Sequence, residues 1–225
     1  MVAVVPAYQR ADTVGDTVAA LRFPAGDAPV VDEVVVVDDG SVDGTAAAAT
    51  AAGARVVRLA ENVGKGGAVS AGIEATPEAD VYLLVDADLG PSAAGATPLL
   101  APVLDGTADM VIGVLPSSGG RGGFGLVRSL AGAGIDRATG WRPRAPLSGQ
   151  RAVRAPLLRS LELAPRFGLE IGLSIDAIRT GARVLEVEVD LRHRHTGRNL
   201  AGFAHRARQG YDVARALWPR VVSGR

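Results

Sequence analysis

The sequence contains no cysteine and, among 24 basic residues, a single lysine, Lys65; aromatic residues make up only 4% of its 225 positions. Without thiols there are no disulfides, no thiolate nucleophile and no Cys-ligated zinc, so a metal would be held by oxygen or by one of three histidines. With few aromatics and a formal net charge of zero, the chain lacks the footprint of a nucleic-acid binder. No apolar run reaches the roughly 18 residues of a membrane span, and Pro6 stops the first short apolar segment, which has no charged start or cleavage site. The expectation is a soluble, cytoplasmic protein.

Aliphatic residues are plentiful instead. Some 48% of positions are apolar, enough for a sizeable core in a chain of one-domain length. The zero net charge is a cancellation between two blocks. Met1 to Asp190 carries 16 basic against 23 acidic residues, a net of −7, whereas Leu191 to Arg225 carries eight arginines against Asp212, a net of +7.

The first half alternates compact β-branched runs with segments of helical character, the pattern of an α/β sheet. Strands are expected at Val2–Val5, Glu33–Val37, Arg55–Arg58 and Val81–Val85, and helices over Asp12–Arg22, Asp43–Ala52 and Gly67–Ala75. Asp12 is placed to cap the first helix and Gly53 to stop the second. The continuous apolar run Val81–Val85 suits a central strand buried on both faces. Further on, Met110–Val114 and Arg183–Val189 read as strands, and Leu126–Thr139, Pro156–Leu161, Leu169–Thr180 and Leu200–Leu217 as helices. Pro116–Gly125, with five glycines and two serines, reads as a loop.

In an open parallel sheet, ligands bind beyond the carboxyl ends of the strands. There the sequence puts Pro6-Ala7-Tyr8 after the first strand, Asp38-Asp39-Gly40-Ser41 after the second, Glu61-Asn62-Val63-Gly64-Lys65-Gly66 after the third and Asp86-Ala87-Asp88 after the fourth. Five carboxylates and the only lysine thus share one edge. In extended backbone Asp86 and Asp88 point the same way, and a hard divalent cation, Mg²⁺ or Mn²⁺, resolves their repulsion. A turn cap beside a solvated carboxylate is the alternative for an isolated Asp-X-Asp. Two nucleotide motifs fail: no Gly-x-Gly-x-x-Gly follows the first strand, and Gly64-Lys65 has Leu59 and Gly66 where a P-loop needs glycine and Ser/Thr. Lys65, in a glycine-rich turn at a helix start, is still placed to meet an anion.

Val4-Val5-Pro6-Ala7-Tyr8, Val36 through Thr45, Asn62 through Gly66 and Val85-Asp86-Ala87-Asp88-Leu89 resemble, in order and spacing, the motifs of family 2 glycosyltransferases of the GT-A fold. The resemblance covers residues 2–115, and the polyprenyl-phosphate sugar synthases and phosphoglycerate-glucosylating enzymes are the types it is most similar to. It implies an α/β fold with a GT-A-type mixed, mostly parallel sheet flanked by helices. A single domain follows, with residues 1–115 as the nucleotide-sugar-binding half, 116–198 as the acceptor half and 199–225 as a C-terminal helix. Pro6, Ala7, Tyr8, Asp38, Asp39, Lys65, Asp86, Ala87 and Arg194 are then the nucleotide-sugar contacts. Asp86 and Asp88, completed by His193 or His195, would hold Mg²⁺ or Mn²⁺.

Leu147 to Arg151 resembles the segment after the family's acceptor loop, which makes Ser148, Gln150 and Arg151, with Arg121, acceptor contacts. Phe167 to Gly172 is similar to a run that carries an active-site glutamate, so Glu170 joins Asp88 and Arg198 as catalytic candidates. Two departures stand out. Gln9-Arg10 replaces the Asn-Glu of many members, which leaves the nucleoside open, and Leu89-Gly90-Pro91 lacks the polar pair of polyprenyl-phosphate enzymes, which moves the third metal ligand to the histidines.

The implied activity is transfer of a hexosyl unit from a nucleotide sugar, UDP-sugar favoured, to a small anionic or polyprenyl-phosphate acceptor. Charge developing on the leaving diphosphate would be met by a cation on Asp86 and Asp88 and by Arg194 or Arg198. An ionised acceptor needs no base; an alcohol would take Glu170. A sugar-nucleotide nucleotidyltransferase and a non-catalytic nucleotide-sugar-binding protein are the rival readings, the first weakened by the missing glycine-rich start. Arg206, Arg208 and Arg215 would either dock the terminal helix on a membrane surface or face outward while it covers the sheet edge. The oligomeric state stays open.

Overall fold

The computed structural model describes residues 1–23, 31–116, 124–164, 168–192 and 220. In chain order the strands are β1 (Val2–Ala7), β2 (Glu33–Asp38), β3 (Arg55–Arg58), β4 (Val81–Leu84), β5 (Met110–Val114), β6 (Arg151–Arg154) and β7 (Val184–Glu188). They form one seven-stranded sheet in the order β3-β2-β1-β4-β6-β5-β7. Every pairing is parallel except those of β6, which runs against both β4 and β5. The expected mixed, mostly parallel sheet is therefore present.

The helices are α1 (Val14–Arg22), α2 (Thr45–Ala51), α3 (Lys65–Glu74), α4 (Ala101–Leu104), α5 (Phe124–Thr139), α6 (Ala155–Ser160) and α7 (Leu169–Arg179), with a 3-10 segment over Gly90–Leu99. Strand side chains alternate between two cores, as a doubly covered sheet requires. Ala3, Val5, Val34, Val36 and Leu83 pack with Val14, Val18 and Leu21 of α1 and Ala93 and Leu99 of the 3-10 segment. Val4, Val35, Val37, Tyr82 and Leu84 pack on the other face with Val69 of α3 and Leu169 and Leu173 of α7. Each such fully buried aliphatic side chain contributes about 1.5–3 kcal/mol. A third cluster, Ala131, Ile135, Ile171 and Ile175, joins α5 to α7.

Several boundaries differ from expectation. Thr13, not Asp12, occupies the N-cap of α1 and makes no side-chain capping bond. Gly53 does stop α2, with φ of +88°. α3 begins at Lys65, which puts the lysine on the first helical turn. β4 ends at Leu84, one residue early, although the Val85 N–H still donates to the Val4 carbonyl at 3.1 Å. β6 and the 3-10 segment were not expected at all. The first is only four residues with arginine at each end; the second carries Pro91 and Pro98, which suit the tighter turn. The Leu200–Leu217 helix, and with it the 199–225 assignment, lies outside the described residues, as does most of the Pro116–Gly125 loop. Among the described residues, no helix is long and apolar enough to cross a membrane.

One surface ion pair ties β5 to β7. Arg183 donates from Nε and its backbone amide to Asp109 Oδ2 and from Nη2 to Oδ1, at 2.9–3.0 Å, and these bonds hold the Asp109 pKa at about 2. A carboxyl lowered in the folded state stabilises above its ordinary value and ceases to do so as pH falls through the lowered one. Asp109→Asn should therefore cost about 1 kcal/mol at pH 6, since Arg183 is half exposed. In thermal melts the gap to wild type should close by about pH 2.

Candidate active site

The strand directions build the site. β1 to β4 run parallel, so the turns that follow them gather at one edge. β6 runs the other way with Arg151 in register with Leu84, so the residues before it, Ser148-Gly149-Gln150, reach that same edge and meet Asp86.

At the centre stands Lys65. Its Nζ lies 2.5 Å from Asp86 Oδ1 and 2.7 Å from Glu170 Oε1, bridging the end of β4 to the first turn of α7. Burial works against the ammonium charge, but the two carboxylates outweigh it and hold the Lys65 pKa above its ordinary value. Gln150 completes the arrangement: its Nε2 donates to Asp86 Oδ2 at 2.6 Å while its Oε1 accepts the Asp86 backbone N–H at 3.1 Å. Gly149 forms the roof. A Cβ there would stand 2.2 Å from Lys65 Nζ and 2.9 Å from both Asp86 oxygens, so any other residue would push the Lys65 and Asp86 side chains from this arrangement.

The neighbouring turns are pinned by short polar side chains. Gln9 adopts φ of +55°, unusual for a residue with a side chain, and its N–H donates to Ser41 Oγ at 3.0 Å. The Arg10 N–H donates to Thr45 Oγ1 at 2.8 Å. Asp38 accepts the Ser41 N–H at 3.0 Å, and Asp39 accepts the amides of Val63 and Gly64 at 2.7 and 2.9 Å. Asp39 thus fixes the loop that delivers Lys65.

Beside the Gly149 turn, Arg151 is 1% exposed. Its guanidinium donates to the carbonyls of Ser148 and Glu170 at 3.0 and 2.8 Å and to Ser174 Oγ at 3.0 Å, tying the Gly149 turn to α7. Burial lowers its pKa to about 10, which leaves it charged at neutral pH. Glu186 of β7 accepts the amides of Arg144 and Ala145 at 3.0 and 2.8 Å and so anchors the loop leading into the turn.

The structure brings Asp86, Lys65, Gln150 and Glu170 into one bonded cluster, with Pro6 beside it and Ser148 one turn away. It revises the surroundings of others. Arg151 and Gln150, expected as acceptor contacts, are buried with their polar groups bonded inside the chain. Ala87 packs into the core, Tyr8 is 47% exposed, and Ala7 is buried. Asp86 and Asp88 do not share one extended face, because the strand stops at Leu84; Asp86 meets Lys65 and Gln150 while Asp88 lies 3.9 Å from Arg10 Nη2. Arg121, His193, Arg194, His195 and Arg198 lie outside the described residues. Arg10, Gly149 and Glu186 were not singled out as site residues; the signal for Arg10 was its position just past a strand end.

Asp86 and Asp88 offer only oxygen donors. Among the described residues, no three His, Asp or Glu side chains converge as a closed cage. Both are oxygen donors of the kind a hard divalent cation takes, and such a cation uses few protein ligands and keeps positions for substrate oxygens.

A mostly parallel sheet with polar residues gathered at its carboxyl edge is the architecture of GT-A glycosyltransferases. Residues 2–157 match the model of glycosyl transferase family 2, and the chain belongs to that family. It is 33% identical over 231 residues to a glucosyl-3-phosphoglycerate synthase of Mycolicibacterium paratuberculosis (strain ATCC BAA-968 / K-10), covering 92% of this chain and 68% of that relative. It is 28% identical to an undecaprenyl-phosphate mannosyltransferase of Micrococcus luteus, covering 86% of this chain and 84% of the other. The crystal structure of glucosyl-3-phosphoglycerate synthase from Mycobacterium tuberculosis with Mn²⁺, UDP-glucose and phosphoglyceric acid superposes with a TM-score of 0.81 at 30% identity, covering 98% of this chain and 79% of that one.

Proposed function

We propose that this glycosyltransferase moves a hexosyl unit, glucose first among them, from a UDP-sugar to a small phosphate-bearing acceptor of the phosphoglyceric acid type. The observation that carries the reading is the Lys65 bridge between Asp86 and Glu170 beneath Gly149, on a chain similar throughout to synthases named for that acceptor. Mg²⁺ or Mn²⁺ on Asp86 and Asp88, with His193 or His195, would act as a Lewis acid toward the leaving diphosphate. Lys65 adds a fixed positive charge at the same edge, and Arg194 and Arg198 supply more. Gln150 sets the orientation of Asp86, and Arg151 holds the acceptor-side turn bearing Ser148. Glu170 is engaged with Lys65, so its part is to fix that charge before it can serve as a base. Asp38 and Asp39 shape the nucleoside pocket beside Pro6, Ala7 and Tyr8, and Arg121 is assigned to the acceptor.

The test is a thermal-shift series with UDP-, GDP- and dTDP-sugars, each with and without Mn²⁺, followed by product analysis with phosphoglyceric acid and with a polyprenyl phosphate. A donor at about 100 times its Kd should add about 2.7 kcal/mol of stability. Phosphoglyceric acid should be glycosylated and the lipid phosphate left unchanged. Stabilisation by no nucleotide sugar would refute the donor, and transfer to the lipid alone would refute the acceptor.

A further inference from the structure

Glu186 lies in the middle of β7, the edge strand that pairs with β5, yet its carboxylate is engaged by another part of the chain. Oε2 accepts the Arg144 N–H at 3.0 Å and Oε1 accepts the Ala145 N–H at 2.8 Å. Residues 140–150 form neither helix nor strand, so their amides have no ladder and are ordered by individual ties instead. A carboxylate bonded to backbone N–H groups makes ties about twice as strong as neutral ones. The ties continue toward the site: the Ser148 N–H donates to the Ala145 carbonyl at 3.1 Å, Arg151 Nε to the Ser148 carbonyl at 3.0 Å and the Gly113 N–H to the Gln150 carbonyl at 2.8 Å. Glu186 also acts on the far end of the turn through space. Burial works against the Arg151 charge, and the negative charges of Glu170 and Glu186 support it.

We propose that Glu186 is a positioning residue for the active site: by holding the entry of the 144–151 turn it sets the height of Gly149 and Gln150 over Lys65 and Asp86. Glu186 is remote from the chemistry, but the tolerance at the other end of the turn is small. Gly149 is so close to Lys65 Nζ that a Cβ would stand 2.2 Å away, and Gln150 meets Asp86 through two bonds, at 2.6 and 3.1 Å. A turn that rises loosens the Gln150 bonds; one that sinks collides with the ammonium. Arg144 offers the contrast. Its side chain pairs with Glu188 on the exposed surface, so removing it leaves both backbone amides on Glu186 in place. The consequence for transfer rests on the function proposed above; the consequence for Lys65 does not.

Lys65 is the only lysine in the chain, so full-length protein labelled with ¹³C-lysine gives one side-chain Cε signal, a direct report on its surroundings. Glu186→Gln keeps the length of the side chain but turns one acceptor oxygen into a donor that faces an amide N–H. It should move the Lys65 signal and cut kcat for hexosyl transfer about tenfold. Glu186→Asp, which keeps the charge but cannot span both amides, should move the signal in the same direction by less. Arg144→Ala should leave the signal and kcat as in wild type. A Lys65 signal unmoved in both Glu186 variants, or an unchanged kcat in an active enzyme, would overturn the positioning role, because a purely structural anchor alters melting temperature and not the surroundings of Lys65. Failure of the proposed function looks different: the wild type would transfer no sugar from any donor, while the Lys65 signal would still move in Glu186→Gln.

Discussion

Asp88→Asn should slow hexosyl transfer by about 10²- to 10³-fold at saturating donor while leaving the chain folded. The carboxylate belongs to a partly exposed turn and the amide is nearly isosteric, so the stability change should stay within about 1 kcal/mol. What the substitution removes is a negative oxygen ligand of the proposed divalent cation, whose positive charge offsets the one developing on the leaving diphosphate. Such charge is worth most in the transition state, so the loss should appear in kcat and not only in KM. Steady-state kinetics with matched thermal melts checks this. A loss of less than about tenfold would take Asp88 out of the reacting site.

Lys65→Met should have the opposite signature, with a large stability effect as well as lost donor binding. The substitution leaves Asp86 and the nearly buried Glu170 facing each other without the cation between them, which should cost about 3 kcal/mol. The pH dependence identifies the cause. In the wild type the Lys65 pKa is raised on folding, so its stabilisation is complete below the ordinary lysine value and is lost as pH climbs through the raised one. The variant has no such alkaline loss. Urea titrations should thus show a full gap up to the ordinary lysine range that closes above it. A gap constant with pH would show that charge is not what Lys65 contributes.

The first half of the fold was legible because β1, β2 and β4 are buried on both faces. Val34 to Val37 and Val81 to Leu84 read as unbroken apolar runs, and turn residues mark where each one ends. The polar residues past those ends fell at one edge by topology alone, and the structure places Lys65 against Asp86 there. β6 was not legible, since Arg-Ala-Val-Arg carries no period-two signal and nothing in a sequence distinguishes a buried arginine from an exposed one. Missing that strand hid its direction, and its direction is what brings Gly149 and Gln150 to Asp86. The same gap explains why Arg151 was expected at the acceptor: its guanidinium is bonded to carbonyls of Ser148 and Glu170, partners set by the tertiary fold. Asp86 and Asp88 were expected to share a face by strand periodicity, and that periodicity ends at Leu84, two residues before Asp86.

The reversed strand also bears on how such an enzyme could change its acceptor over evolutionary time. β5 and β6 are antiparallel neighbours, so the chain departs from the sheet after Val114 and rejoins it at Arg151 on one and the same rim. Everything between behaves as a cassette plugged in at two adjacent sockets. Lengthening a connection whose ends are already close adds only about 0.6 kcal/mol per doubling. Segments of different length can therefore be accommodated between Val114 and Ser148 without moving Asp86 or Lys65, so long as Gly149 and Gln150 are kept.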